Sequence, residues 1–156
     1  MTSVLMLCLG NICRSPTAEA VLRAQVAKAG LSQRIRVASA GTAGWHIGKA
    51  PDSRSQAHAQ VRGYDLSTLR ARQLCEQDFY QFDYILAMDD NNLADAQARC
   101  PKDAPVKLLP LLSFLPEAPS LNVPDPYYGG DQGFEQVLDL VEQACAGLLA
   151  TLNSES

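Results

Sequence analysis

The stretch Val4-Leu5-Met6-Leu7-Cys8-Leu9-Gly10-Asn11-Ile12-Cys13-Arg14-Ser15-Pro16 decides how the chain folds. Val4 to Leu7 is an unbroken apolar run, the pattern of a strand covered on both faces as in parallel sheets. Ser15-Pro16 reads as the N-cap and first turn of a helix. Cys8 to Arg14 is then the tight loop between them. Strand, loop and helix in this order aim backbone N–H groups and the positive end of a helix dipole at one small volume, which suits a dianion. Arg14 stands at its edge with a planar fork of donors for two phosphate oxygens. At its floor stands Cys8, where the groups that hold a phosphate also stabilise a thiolate. A nucleophile and an electrophile thereby share one cradle.

The spacing Cys-x5-Arg-Ser has a geometric reason. A loop of this length curls once around a tetrahedral phosphate, so that sulfur meets phosphorus from below while the arginine returns to clamp the equatorial oxygens. Gly10 is expected to allow the sharp curl. Asn11 tolerates a left-handed backbone and can tie the loop to itself. Ser15 is expected both to cap the helix and to offer its hydroxyl to the thiolate. Leu9, Ile12 and Cys13 complete the phosphate-binding loop. A cysteine between strand and helix can also simply fill space, but the capped helix after it favours the chemical reading.

A thiolate that attacks phosphorus needs an acid opposite it, because an aryl or alkyl oxygen leaves badly unless protonated. Asp125 is the candidate, held between Pro124 and Pro126 with the aromatic surface of Tyr127 and Tyr128 beside it. Alone, an Asp between prolines is a turn residue; the first motif turns the reading to general acid. Trp45 lies in a loop following a second strand, on the same rim, and is expected to wall the substrate cleft. His46 reads as a packing residue, and with His58 the only other histidine no metal site is expected. Asp89 and Asp90 read as a helix cap rather than a metal pair, and Arg70 and Arg72 as structural charges.

A length of 156 residues suits one domain, 1–156. The net charge of −4 argues against nucleic acid and against anionic membrane surfaces as partners. No apolar run approaches the roughly 20 residues of a spanning helix, and Met1-Thr2-Ser3 lacks the basic residues of a signal peptide. Five cysteines, an odd number without paired zinc spacing, indicate a reduced, cytoplasmic protein. No cofactor or metal is expected, since the loop and Arg14 supply the positive charge.

Along the chain, a helix over Pro16–Ala29 stops at Gly30 and a strand spans Ile35–Gly41. A helix over Asp52–Arg62, a helical turn at Glu76–Gln81 and a strand over Phe82–Met88 follow. Asp89 or Asp90 opens a helix to about Arg99, which Pro101 ends. Val106–Leu112 is the fourth strand, with Pro110 marking its end or an edge. An irregular, proline-bearing stretch from Ser113 to Gly133 precedes a final helix from Phe134. Val137, Leu138, Val141, Cys145, Leu148 and Leu152 line its core face, and Cys145 is inert there. Alternating strands and helices predict a single-domain α/β fold: a central four-stranded parallel twisted sheet, helices on both faces, in the flavodoxin-like order 2-1-3-4.

Taken together, Cys8 to Pro16 followed by Ala18-Glu19-Ala20 resembles the signature loop of the low-molecular-weight protein tyrosine phosphatases. Ser39-Ala40-Gly41-Thr42 with Trp45-His46, Arg70-Ala71-Arg72-Gln73, Met88-Asp89 with Asn92-Leu93, and Asp125-Pro126-Tyr127-Tyr128 agree, so the resemblance spans nearly the whole chain. It implies hydrolysis of protein phosphotyrosine and small aryl phosphates through a phosphocysteine. Cys8 would be the nucleophile, Arg14 and the loop amides would bind phosphate, and Asp125 would serve as acid and then base. The partners implied are phosphotyrosine-containing proteins, and the chain is expected to be a monomer or weakly self-associating.

In relatives a histidine precedes this Arg-Ala-Arg and braces the loop through its asparagine; Leu69 stands there instead, so that brace is expected to be missing. Relatives acting on phosphoarginine carry threonine at the place of Ile12, which with the aromatics favours phosphotyrosine. The alternatives are a protein-arginine phosphatase or an arsenate reductase of the same fold, and, from another class, a non-catalytic phosphate-binding module. A reductase needs a close relay of cysteines, whereas Cys75, Cys100 and Cys145 are scattered. A binding module has no need of Cys8 and Asp125, and both are present. Cys13 is near enough in sequence to trap an oxidised Cys8 as a disulfide; otherwise it is a small buried residue.

Overall fold

The computed structural model describes residues 1–126 and 130–155. Its elements run β1 (Thr2–Cys8), α1 (Arg14–Lys28), β2 (Ile35–Gly41), α2 (Ser53–Val61), α3 (Asp78–Gln81), β3 (Tyr84–Ala87), α4 (Asp90–Arg99), β4 (Lys107–Pro110), a 3₁₀ turn (Leu111–Phe114) and α5 (Asp131–Glu155). All strand pairings are parallel, in the order β2-β1-β3-β4, with Cys8 beside Gly41 and Leu7 beside Ala87. This is the order 2-1-3-4 read from the sequence.

Side chains alternate across β1, and both faces are covered. Val4 and Met6 enter one core with Leu22 of α1, Leu86 of β3 and Leu138, Val141 and Leu148 of α5. Leu5 and Leu7 enter the other, with Phe79 of α3, Ile85 of β3 and Ala96 of α4. Burial from both sides is why β1 reads as a solid apolar run instead of an alternating one. Cys145 lies fully buried in the first core, where burial pushes its thiol far up.

Element ends differ from expectation where local chemistry intervenes. β4 stops at Pro110 and the chain winds into the 3₁₀ turn, since proline has no N–H to continue a ladder. β3 covers only Tyr84–Ala87, and α5 starts at Asp131, ahead of Phe134. α1 starts at Arg14 with Cys13 in the cap position and no side-chain cap. Ser15 therefore lies inside the first turn and does not cap it. Asp52 does cap α2, accepting from the Arg54 N–H at 2.8 Å.

The sheet's order reverses between β1 and β3. Helices leave the two strands on opposite faces there and open a crevice beyond the strands' carboxyl ends, the usual place for a ligand in an open α/β sheet. Cys8 ends β1 at this point and Asp89 follows the exit of β3. No helix among the described residues is long and apolar enough to cross a membrane.

Candidate active site

Loop residues 8–14 turn back on themselves above the end of β1. Cys8 is buried; its Sγ lies 2.9 Å from Ser15 Oγ and 3.3 Å from the Asn11 N–H. Asn11 adopts the left-handed conformation, φ 57°, which an asparagine tolerates better than most residues. Its amide ties the loop in three directions. Nδ2 donates to Ser15 Oγ at 2.8 Å and to Ser39 Oγ at 3.0 Å, while Oδ1 accepts from the Arg72 N–H at 3.0 Å. With Leu69 in the family histidine's place, Asn11 is held by a β2 serine and a backbone amide. Ser39 in turn gives its proton to the buried Glu19 at 2.6 Å, so its oxygen accepts from Asn11. Ser15 Oγ likewise accepts from Asn11, and its own proton has two acceptors in reach, Cys8 Sγ at 2.9 Å and Ala40 O at 3.4 Å.

Two glycines give the loop room by lacking a side chain. Gly10 is not among the left-handed residues, and the curl is carried by Asn11. A Cβ at Gly10 would lie 2.9 Å from His46 Cδ2, so its missing side chain makes room for that ring. Gly41, not singled out from the sequence, lets the loop pass directly over β2: a Cβ there would meet Leu9 O at 2.7 Å and Asn11 N at 3.1 Å. The Thr42 and Ala43 N–H groups continue the tie, donating to Cys8 O and Leu9 O, each at 2.9 Å.

Arg14 is 3% exposed. Its Nη1 donates to Asp89 Oδ2 at 2.7 Å and to Val123 O at 3.0 Å, and its Nη2 lies 3.8 Å from Asp125 Oδ2. Asp89 does cap α4, accepting from the Asn92 N–H at 2.8 Å. Its second oxygen neutralises Arg14, a role that spacing within one helix start gives no hint of. Asp125 projects from the opposite wall with its side chain 44% exposed.

The cleft between them is about 190 Å³, small beside the roughly 300–1,000 Å³ of drug-sized ligand sites. Leu9, Ile12 and Cys13 line it from the loop, with Trp45 and His46 on one side and Asp125 on the other. Trp45 is 70% exposed and flanks the mouth. His46, read as a packing residue, belongs to this wall. Tyr127 and Tyr128 lie outside the described residues. Arg72 pairs with Asp78 at 3.0 Å through both terminal nitrogens, and Arg70 bonds the carbonyls of Ser67 and Leu69. Neither side chain lines the cleft. Burial pushes the Cys13 thiol up to about 12, so it stays protonated beside Cys8.

Comparison with known proteins agrees with this fold. The family model described as low molecular weight phosphotyrosine protein phosphatase matches residues 3–156. The low molecular weight phosphotyrosine protein phosphatase of Homo sapiens is 44% identical over 149 residues, covering 94% of this chain and 93% of its own. Among solved structures, a protein tyrosine phosphatase from Entamoeba histolytica with Hepes in its active site superposes with a TM-score of 0.94 at 38% identity, covering 99% of each chain. A Drosophila arginine phosphatase superposes with a TM-score of 0.92 at 34% identity, over 100% of each chain.

Proposed function

Since the chain belongs to the low molecular weight phosphotyrosine protein phosphatase family, we propose that it hydrolyses phosphotyrosine in proteins through a phosphocysteine. Cys8 thiolate attacks phosphorus; the S–P bond forms as the bond to the phenolic oxygen breaks, and Asp125 gives that oxygen its proton. Water then attacks the phosphocysteine, giving its proton to the Asp125 carboxylate, and sulfur leaves as a thiolate that the Ser15 hydroxyl stabilises. Arg14 and the loop amides hold the equatorial oxygens throughout, at the N-terminus of α1.

The observation that carries this reading is the placement of Arg14. Two fixed acceptors hold its Nη1, its Nη2 lies 3.8 Å from Asp125 Oδ2, and Cys8, Arg14 and Asp125 line one cleft. A phosphate seated there has a nucleophile below and an acid opposite. Ile12 and Trp45 give the cleft an apolar wall that suits a flat aryl group, and Tyr127 and Tyr128 follow the acid in sequence. A protein with five free cysteines is assigned to the reducing cytoplasm, acting as a monomer or weak self-associate. Oxidation of Cys8 is proposed to be trapped by Cys13 as a disulfide.

Phosphate release from matched phosphotyrosine and phosphoarginine peptides, with Cys8→Ser as the blank, tests the assignment. Release from phosphotyrosine alone is expected. A preference for phosphoarginine would keep the loop chemistry and overturn the reading of Ile12 and the aromatic wall. No release from either would overturn the phosphatase assignment.

A further inference from the structure

Outside the cleft, α2 and α5 meet in a polar seam that bears on the acid. His58 of α2 stacks on Phe134 of α5, with ring centroids 5.4 Å apart and planes 4° from parallel. Its Nδ1 lies 2.5 Å from Glu135 Oε2 and its Nε2 3.3 Å from Asp131 Oδ1. The Arg54 guanidinium sits over the other part of this stack, 4.9 Å from the Phe134 centroid. These contacts all fall on Asp131 to Glu135, at the start of α5.

Pro126, the residue after Asp125, is buried where the seam ends. It shares a small hollow with His58, Phe134, Ser55 and Cys13, and a Cβ on Gly133 would stand 3.6 Å from it. On its other side Asp125 is tied to the sheet. The Val123 N–H donates to Met88 O at 2.6 Å, and Val123 O accepts from Arg14. The acid is thus slung between two anchors, one at the end of β3 and one at the head of α5.

We propose that His58 is a positioning residue for the general acid: by clasping the start of α5 it seats Pro126 and so holds Asp125 facing Arg14. This role rests on the assignment of Asp125 as the acid. Docking of the helix as a whole has other supports. Arg62 pairs with Glu135, Asp139 and Glu142, at 2.8, 2.9 and 2.6 Å, and Tyr64 bonds Glu142 at 2.5 Å. Loss of His58 therefore removes the ring stack on Phe134 beside Pro126 and the contact with Asp131, while Arg62 still holds Glu135 and the length of the helix.

Leaving-group dependence separates positioning from stability. Phenolate leaves poorly and depends on the acid, whereas 4-nitrophenolate leaves well without it. His58→Ala is expected to lower kcat/KM for phenyl phosphate roughly tenfold while 4-nitrophenyl phosphate changes by about twofold or less, with inhibition by inorganic phosphate unchanged. Asp125→Asn should show the same selectivity more strongly. His58→Gln, which keeps an amide donor for Glu135 without the ring stack, should fall between, and it carries the test if the alanine variant does not fold. An equal loss on both substrates, or none, in a His58 variant while Asp125→Asn remains selective overturns the clasp alone. An Asp125→Asn enzyme without selectivity overturns the acid assignment and this role with it.

Discussion

Cys8 and Asp125 face one cleft from supports of opposite kinds. Cys8, Asn11 and Arg14 are 3%, 2% and 3% exposed, on a loop bonded to β2, to Arg72 and to Asp89. Asp125 stands 44% exposed on a proline-bounded loop fastened at its two ends. The difference suits the work proposed for each side. A buried cation and a ring of donors bind an anion best when their orientation is fixed before it arrives, because reorienting dipoles during reaction weakens the stabilisation. A group that gives a proton to a leaving oxygen and takes one from water has to meet solvent, and a loop on the rim is where it can.

Removing the buried side should therefore do the most damage. Cys8→Ser is expected to lower turnover by at least about four orders of magnitude, since the hydroxyl is a far weaker nucleophile in the same cradle. Asp125→Asn should lower it by roughly 10²–10³ with phenyl phosphate, within the roughly 10²–10⁴ of general acid–base catalysis. Rapid-quench trapping sharpens the contrast: Asp125→Asn should still accumulate phosphocysteine from 4-nitrophenyl phosphate, and Cys8→Ser should form none. Equal losses without any trapped intermediate would break the division of labour between the two sides.

Asp89→Asn probes what holds the buried side together. Arg14 would keep its charge in the core with one neutral partner in place of an anion. Full loss of a buried partner is worth about 3–5 kcal/mol; Asp89 is 21% exposed, so solvent screening brings the expected loss to roughly 1–2 kcal/mol. Urea unfolding at pH 7 measures it. Turnover should drop about tenfold as the guanidinium loses its alignment. Unchanged stability and turnover would show that Val123 O alone orients Arg14.

Sequence reasoning reached the buried side more fully than the exposed one. The apolar run of β1, the Cys-x5-Arg-Ser spacing and the helix behind it are contiguous, so local rules place Cys8, Asn11, Arg14 and Ser15 together. The 2-1-3-4 sheet follows from the alternation of elements. What escaped depends on contacts between distant segments. Asp89 was legible as a cap but not as the partner of Arg14, which comes from a different strand end. Gly41 matters because another loop crosses it, and the glycine shows no positive φ of its own. His46 lines the cleft only because Gly10 yields it space. Leu69 in place of the family histidine points to a weakened loop; Asn11 nonetheless bonds Ser39 and the Arg72 amide, contacts between distant segments that the histidine's absence does not reveal.

The smallest effect concerns Cys13, which shares the cleft with Cys8 and whose thiol burial keeps protonated. Peroxide would oxidise the Cys8 thiolate to a sulfenic acid; attack by Cys13 on that sulfur then forms the disulfide and releases water. Only a thiolate attacks, and burial holds the Cys13 thiol up to about 12. Closure should thus be slow at neutral pH and rise about tenfold per pH unit, or roughly a hundredfold from pH 7 to pH 9. Thiol blocking at timed intervals after a peroxide pulse, followed by mass spectrometry of the linked peptide, reads the rate, and dithiothreitol should restore full turnover. A closure rate independent of pH would mean that the loop opens and solvates Cys13 once Cys8 is oxidised, so that the rigid side of the site is rigid only while its thiolate is intact. Absence of the linked peptide would remove Cys13 from the redox chemistry and leave it as packing at the head of α1.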